Sequence, residues 1–189
     1  MDAQFIQLVK QARSFRRFVE ADPISAGVVR GLVDTARLVP SAANQQPLRY
    51  RIVTEGTVRA RVFPHLKWAG ALKEWGGPKE GERPTGYILM LAEKGKNVAC
   101  DLGIAAQTIQ LAATAAGYGA CMLGAIDRVG LHQTLSLPAN MEVQLVVALG
   151  RPGETIVLED LAPSANPAYW RTPDEVHHVP KRRLEDVII

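Results

Sequence analysis

Apolar residues recur at helical spacing in two segments near the start of the chain. The first segment predicts an amphipathic helix over residues 3–12, with an apolar side formed by Phe5, Leu8, Val9 and Ala12. The second begins after Pro23 with Ser25 as its N-cap, because a serine oxygen accepts the free N–H groups of a first helical turn. Its buried stripe is predicted to be Val28, Val29, Leu32, Val33 and Ala36.

Shorter apolar runs predict four strands. Residues 48–53 alternate apolar and basic side chains, as a half-buried strand does. Residues 87–92 and 143–149 are continuous apolar runs, which are typical of buried strands. A fourth, short strand is predicted over residues 120–123.

The remaining segments predict shorter elements. Asp127 is expected to cap a helix over residues 128–135. Residues 57–75 predict short helical pieces that contain Trp68 and Trp75. The sequence GGPKEGERPTG over residues 76–86 predicts a loop of unusual length, and such loops are often functional or mobile.

The longest helical pattern lies in residues 97–124, where many alanines precede a Gly117-Tyr118-Gly119 turn. A helix that is apolar on nearly all faces is expected to be buried. Polar residues within it, Asp101 and Gln107 among them, argue against a bilayer span. The segment is therefore interpreted as a central core helix whose small side chains let other backbones approach closely.

Helices and apolar strands in mixed order indicate an α+β or α/β fold. A length of 189 residues suits one domain, 1–189, in which the pattern thins after Arg151 and residues 160–189 form an extended C-terminal arm. Gly117 and Gly119 follow a helix, whereas the glycines of a dinucleotide fingerprint follow a strand and open a helix.

Composition narrows the class of protein. Hydrophobic residues make up 47% of the chain and charged residues 22%, which are ordinary globular values. With two cysteines, no apolar run of membrane length and no signal peptide pattern, we expect a cytoplasmic protein with free thiols. No Cys/His spacing suits a metal, and the adjacent His177 and His178 are attributed to a polar tail. A net charge of +3 is too small to predict nucleic acid binding.

Two basic clusters lie at opposite ends of the sequence. They comprise Arg13, Arg16 and Arg17 near the start and Lys181, Arg182 and Arg183 near the end. Solvated surface charge is one interpretation. The other is a phosphate monoester site, because the first cluster includes Ser14 and guanidinium groups bind two phosphate oxygens at once. If the tail folds back, both clusters could meet on one dianion.

Five motifs in order make the chain resemble the nitroreductase family of FMN-dependent oxidoreductases. Near the start is Arg13-Ser14-x-Arg16-x-Phe18, and the segment Pro40-Ser41-Ala42-x-Asn44-x-Gln46-Pro47 precedes a predicted strand. The long helix carries Asp101-x-Gly103-x-Ala105. It is followed by Gly117-x-Gly119-x-Cys121-Met122-x-Gly124 and, near the end, Pro180-Lys181-Arg182.

The resemblance implies an α+β, three-layer fold with a mixed central sheet flanked by helices, in a domain-entwined homodimer with FMN at the subunit interface. The FMN phosphate and ribityl chain are expected to contact Arg13, Ser14, Arg16, Lys181 and Arg182, with Arg183 as a substitute for the last. The residues expected to reach the flavin from the partner subunit are Pro40, Ser41, Ala42 and Asn44. Leu123 and Gly124 are expected along the isoalloxazine edge near N5.

The implied chemistry belongs to the cofactor, with NADH or NADPH as electron donor and a nitroaromatic, a quinone or a similar small molecule as acceptor in a ping-pong mechanism. No dedicated catalytic residue is expected, and the backbone N–H of Gly124 would tune N5. The loop over 76–86, with Trp68 and Trp75, is the predicted substrate-side wall, although aromatic residues at such positions are more often core residues.

Three departures from the family pattern bear on function. Ala12 stands where many members have a further arginine, Leu48 stands where many have tryptophan, and Leu123 stands where some have an acidic residue. The alternatives are therefore a flavin-binding member with little nitroreductase turnover, or one with a specialised reaction such as dehalogenation or flavin conversion. A nucleic acid-binding protein that uses the two basic clusters is a third hypothesis, for which the sequence offers no recognised module.

Overall fold

A four-stranded sheet in the order β1-β2-β4-β3 forms the centre of the molecule. The computed structural model describes residues 2–189. The strands of this sheet are β1 (Arg49–Val53), β2 (Gly86–Glu93), β3 (Gly119–Leu123) and β4 (Met141–Gly150). The two central strands, β2 and β4, are buried along most of their length, which explains their continuous apolar sequences.

Helices cover both faces of this sheet and make three layers. The helices are α1 (Ala3–Gln11), α2 (Ala26–Ala36), α3 (Gly56–Val62), α4 (Ala99–Ala115) and α5 (Arg128–Thr134). Alternate residues of β2 point to opposite faces: Ile88 packs in the cluster that includes α2 and α4, and Leu89 packs in the cluster that includes Val62 of α3 and Leu131 of α5. The predicted three-layer α+β fold is confirmed.

Parallel and antiparallel pairing both occur at the central sheet. The pairs β1–β2, β2–β4 and β3–β4 are antiparallel. On the outer edge of β3, Ser14 forms a parallel bridge with Ala120, so that the N-terminal segment extends the sheet. The segment after α1 is thereby fixed against the edge strand.

Two predicted helix caps are confirmed. The Ser25 hydroxyl accepts the N–H of Val28 at 3.2 Å at the start of α2. The Asp127 carboxylate accepts the N–H of Gly130 at 2.9 Å at the start of α5. A Cβ at Gly130 would lie 2.2 Å from the Asp127 carboxylate, so this position requires glycine for close approach.

The central helix α4 is less enclosed than its sequence predicts. Ala105, Ile109 and Ala113 are buried against α2 and the sheet. On another side, Cys100, Gly103 and Gln107 are exposed. One side of this apolar helix therefore faces outward in the single chain.

The C-terminal region forms a second sheet that the sequence did not predict. Its strands are β5 (Ile156–Asp160), β6 (Trp170–Arg171) and β7 (His177–Lys181), in the order β5-β7-β6. β5 and β7 are parallel, whereas β6 and β7 are antiparallel. β6 has only two residues and β7 contains a proline, so these two strands carry little strand signal in their sequences.

The predicted loop before β2 is held down at one carboxylate. Glu20 accepts the backbone N–H of Gly81 at 2.8 Å, and its own N–H donates to the carbonyl of Gly81 at 3.1 Å.

Over residues 2–189, no helix combines the length and the apolar character needed to cross a bilayer. Cys100 and Cys121 are unpaired, the first exposed and the second buried.

Candidate functional site

The outer edge of β3 offers unpaired backbone groups. The N–H of Phe15 donates to the carbonyl of Ala120 at 3.0 Å, so the polar groups of Ala120 point away from β4. Strand residues alternate in direction, and the backbone groups of Met122 and Gly124 therefore face the same outer edge. Gly124 is exposed, whereas the Leu123 side chain is buried in the core. The edge near Gly124 can accept a planar polar partner.

A cavity of about 660 Å³ at the start of this edge brings together one member of each basic cluster, Arg13 and Lys181. It lies between the end of α1 and strands β5 and β7. Its charged lining residues are Lys10, Arg13, Lys181, Glu159 and Asp160. The Glu159 carboxylate is in contact with His178, which leaves the three cations facing one further carboxylate.

Arg13 is held at this cavity with unused hydrogen-bonding capacity. Its Nη2 donates to the carbonyl of Val9 at 2.7 Å, and its own carbonyl accepts Nε2 of Gln110 at 3.0 Å. Its Nε is buried and has no acceptor among the described residues. Burial lowers the pKa of Arg13 from its ordinary value, although an arginine stays charged at neutral pH. An anion in the cavity would supply a countercharge for the Arg13 guanidinium.

Arg16 is turned away from that cavity. Its Nη1 donates to Nε2 of His177 at 3.1 Å, and its guanidinium lies 4.4 Å from the centre of the Tyr169 ring. A guanidinium has no acceptor, so His177 accepts at Nε2 and carries its proton on Nδ1. Arg16 therefore does not line the Arg13 cavity, and its role as a phosphate ligand stays a prediction. His177 is fully buried.

Other predicted ligands are distributed unevenly. Ser14 lies beside the cavity through its bridge to Ala120. Lys181 and Arg182 are both exposed, and of the two only Lys181 lines the cavity. Nε of Arg183 lies 3.6 Å from a carboxylate oxygen of Glu185. Of the C-terminal cluster, only Lys181 therefore meets Arg13.

His177 predicts an acid-sensitive stability. Burial, Arg16, Arg171 and His178 lower the pKa of His177 to about 4. Between pH 6.5 and 4 the unfolded chain binds a proton that the folded chain does not, so the free energy of unfolding should fall as the pH falls through this window. Thermal melts at pH 7, 6, 5 and 4 should show a smaller loss for His177→Gln than for the wild type. His132→Gln is the control, and equal losses in all three proteins would contradict the assignment.

The buried Glu154 carboxylate accepts hydrogen bonds from three arginines. Its carboxylate accepts the N–H groups of Arg16 and Arg17, the latter at 3.1 Å, and Nη2 of Arg171 at 2.7 Å. Its side chain is 1% exposed. No sequence pattern indicated a role for this residue, because it follows a Pro-Gly pair in the segment interpreted as a tail.

The second group of predicted cofactor residues lies elsewhere in the chain. Pro40 and Ser41 line a cavity of about 290 Å³ together with Asp101. Ala42–Asn44 form a single exposed helical turn. This group and Arg13 do not share a cavity within one chain.

Backbone strain marks this exposed turn. Ala43, Asn44 and Gln46 have φ values of 48°, 54° and 48°, in the left-handed region. Residues with side chains avoid this region by about 1–2 kcal/mol each. Such strain persists only where the surroundings impose it, and it is common in segments that bind ligands.

Helix α4 contacts both groups of predicted cofactor residues. Asp101 in its first turn contacts the segment after Pro40, and Gln110 near its other end contacts Arg13. Nine residues at 1.5 Å separate the two contacts by about 14 Å along the helix axis. The predicted cofactor residues therefore lie in two groups, one near each end of α4.

The two tryptophans of the predicted wall lie in different surroundings. The N–H of Lys67 donates to the carbonyl of Ala125 at 3.0 Å, which places the adjacent Trp68 beside the end of β3. Trp75 instead lies under Arg171, whose guanidinium is 4.4 Å from its ring centre. Of the two, Trp68 is the one positioned near Gly124.

Cys121 is the buried cysteine of β3. Burial raises the pKa of the Cys121 thiol on β3 to about 11, so the thiol is protonated at neutral pH. Within the part of the chain that the structure describes, no group of three or more His, Cys, Asp or Glu side chains could hold a metal ion.

Solved structures share this fold. A Desulfovibrio desulfuricans protein described as a nitroreductase in complex with FMN has a TM-score of 0.66 at 24% identity, with 82% of this chain and 89% of that chain covered. The FMN-dependent nitroreductase NfnB of Mycobacterium smegmatis, in complex with NADPH, has a TM-score of 0.64 at 18% identity, with 79% and 87% covered.

Sequence comparisons identify the family. A protein of Methanothermobacter thermautotrophicus that is named for NADH dehydrogenase/NAD(P)H nitroreductase activity is 25% identical over 164 residues, which cover 82% of this chain and 81% of the relative. The model of the nitroreductase family matches residues 9–151. That match includes α2, α4 and the whole central sheet. The chain belongs to the nitroreductase family.

Proposed function

We propose that the protein is an FMN-dependent oxidoreductase that passes electrons from NADH or NADPH to a small acceptor such as a nitroaromatic or a quinone. The observation that supports this best is the cavity in which Arg13 and Lys181 meet beside the open edge of β3. Family membership agrees with it, as do the FMN and the NADPH bound in two similar structures.

The donor set at the cavity fits a phosphate monoester. Arg13 and Lys181 each bring a positive charge to the cavity lining, and neither forms an ion pair among the described residues. Hydrogen bonds from charged donors to phosphate are about twice as strong as neutral ones. We assign the FMN phosphate to Arg13 and Lys181, with Ser14 beside them.

The strand edge fits the isoalloxazine ring. From Ala120, beside the phosphate cavity, to Gly124 the strand advances about 13 Å, at roughly 3.3 Å per residue. The outward backbone groups of Met122 and Gly124 can hydrogen-bond the polar edge of the ring, and Trp68 stands beside the end of the strand. An elongated ligand with a charged end and a planar polar end matches this layout.

When bound, oxidised FMN would supply N5 as a hydride acceptor, and reduced FMN would supply the electrons for the substrate. The chain's own residues bind and orient the cofactor, and the N–H of Gly124 is available to the flavin edge. No side chain is needed as a general acid, general base or nucleophile. Because the cofactor carries the chemistry, the proposed reaction needs no catalytic triad.

A second copy of the chain would complete the site. Ala42 and Asn44 are exposed on a strained turn that does not share the Arg13 cavity. In a two-fold pairing across the exposed side of α4, the first turn of one helix meets the far end of the other, and each site gains both groups of predicted cofactor residues. The apolar side of α1 also needs cover, since Phe5 is 51% exposed and Ile6 and Val9 are 37% exposed.

The proposal predicts a yellow protein. Purified protein, or apoprotein incubated with FMN and desalted, should show the absorbance bands of oxidised flavin. These bands should bleach anaerobically with NADH or NADPH, because the bound cofactor accepts the hydride. Turnover with nitroaromatic and quinone acceptors then separates an oxidoreductase from a flavin-binding member with little activity. Protein that stays colourless after incubation with FMN would contradict the proposal.

A further inference from the structure

The exposed turn over residues 42–46 is anchored to the core through one carboxylate. Asp101 accepts the Ser41 hydroxyl at 3.1 Å with one oxygen and the N–H of Ala42 at 3.0 Å with the other. The Ser41 Oγ in turn accepts the N–H of Gln46 at 2.9 Å. Both ends of the turn are therefore tied to the same residue of α4.

Asp101 is suited to this task by its surroundings. It is 7% exposed and belongs to the first turn of α4, where the helix dipole stabilises a negative charge. No arginine or lysine forms an ion pair with it among the described residues, so its hydrogen-bonding capacity is directed to the turn.

The turn needs such an anchor because its backbone is unfavourable on its own. Ala43, Asn44 and Gln46 all have positive φ values, and Ala42–Asn44 are exposed, so little packing holds them. Within the turn, the Gln46 amide donates to the Asn44 side-chain oxygen at 3.1 Å. Without the carboxylate, the turn would relax and Asn44 would lose its orientation.

We propose that Asp101 is a positioning residue that holds Ser41, Ala42 and Asn44 in the geometry in which they meet the flavin of the partner subunit. This role rests on the proposed FMN site. Asp101 does not itself touch the cofactor. It acts by keeping three residues in a conformation that the free turn would leave.

The test compares Asp101→Ala and Asp101→Asn with the wild type. Asparagine keeps an oxygen for the N–H of Ala42, so it should rescue part of the effect. Asp22→Asn is the control, because it removes an exposed carboxylate that pairs with Arg151 at 2.9 Å, away from the turn. Three quantities are measured: amide exchange of Ala42 and Gln46 in the apoprotein, the dissociation constant of FMN, and the visible circular dichroism of the FMN-saturated protein.

For Asp101→Ala we expect faster exchange at both amides and an altered flavin circular dichroism signal. We also expect FMN binding to weaken by about tenfold, which corresponds to a binding-competent conformation of the turn that falls to about one tenth of the population. Asp101→Asn should fall between this variant and the wild type. A purely structural role would lower the melting temperature and leave the flavin signal of the saturated protein unchanged.

The outcomes separate this role from the proposed function. Wild-type protein that binds FMN, together with an Asp101→Ala variant of equal affinity and identical flavin signal, would overturn the positioning role. Wild-type protein that does not bind FMN would overturn the proposed function. In that case the amide exchange of the apoprotein still decides whether Asp101 orders the turn.

Discussion

The double variant Arg13→Ala/Lys181→Ala is expected to lose FMN while it keeps its fold. Each residue contributes a charge-assisted contact to the proposed phosphate site, worth about 1.5–3 kcal/mol. Together the two losses should weaken FMN binding about 100-fold or more. Equilibrium titration of the apoprotein by flavin fluorescence measures the effect, and the wild-type affinity should also fall with salt.

A matched control separates the site from overall charge. Arg30→Ala/Lys73→Ala removes two exposed positive charges outside the cavity and should bind FMN as the wild type does. Equal FMN affinity in the Arg13→Ala/Lys181→Ala variant and this control would contradict the phosphate assignment. Arg16→Ala should behave differently from both, because Arg16 packs on Tyr169 and donates to His177 and its loss should act first on stability.

Glu154→Ala is expected to be the most destabilising of the single substitutions considered. The variant leaves the Arg171 guanidinium, itself 9% exposed, without its carboxylate, and it removes the acceptor for the N–H groups of Arg16 and Arg17. Breaking a buried ion pair from one side costs about 3–5 kcal/mol. For a chain of this length the melting temperature should fall by roughly 6–20 °C.

Graded variants make the Glu154 prediction robust. Glu154→Gln keeps an acceptor and should cost less than alanine, and Glu154→Ala/Arg171→Met should recover part of the loss because it removes the unpaired charge as well. Glu74→Ala, at an exposed position, is the control. A melting temperature of Glu154→Ala within 1 °C of that control, both measured by circular dichroism, would show that the carboxylate does not organise this region.

The elements with strong local patterns could be predicted from the sequence. The period of the apolar stripe and the cap at Ser25 defined α2, and the continuous apolar runs defined β2 and β4. In each case the side chains themselves carry the signal, because burial on one side or on both follows the period of the element. The family motifs added the order of layers.

The C-terminal sheet could not be predicted in this way. Ile156, Val157 and Leu158 form a short β-branched and apolar run that indicates a strand, but β7 contains Pro180 and its partner β6 has only two residues. Long-range contacts supply the stabilisation that the local sequence lacks, above all the hydrogen bond from the N–H of Arg17 to the Glu154 carboxylate. Short strands that depend on such contacts are weakly encoded in local sequence.

The motifs predict that Arg13, Lys181 and the segment after Pro40 contact the cofactor, and that assignment stays a prediction. The structure places Arg13 and Lys181 at one cavity. The guanidinium of Arg16 instead contacts the Tyr169 ring and Nε2 of the buried His177. The spacing of Arg13 and Arg16 in the sequence does not indicate which of the two lines the cavity.

The two-ended arrangement on α4 has a thermodynamic consequence. If each FMN contacts the Arg13 end of one chain and the Asp101 end of another, cofactor binding and dimerisation are linked equilibria. Apparent FMN affinity then rises with protein concentration, and FMN tightens the dimer by the same factor by which the dimer tightens FMN. The supply of flavin in the cell would thereby set the fraction of chains that are assembled.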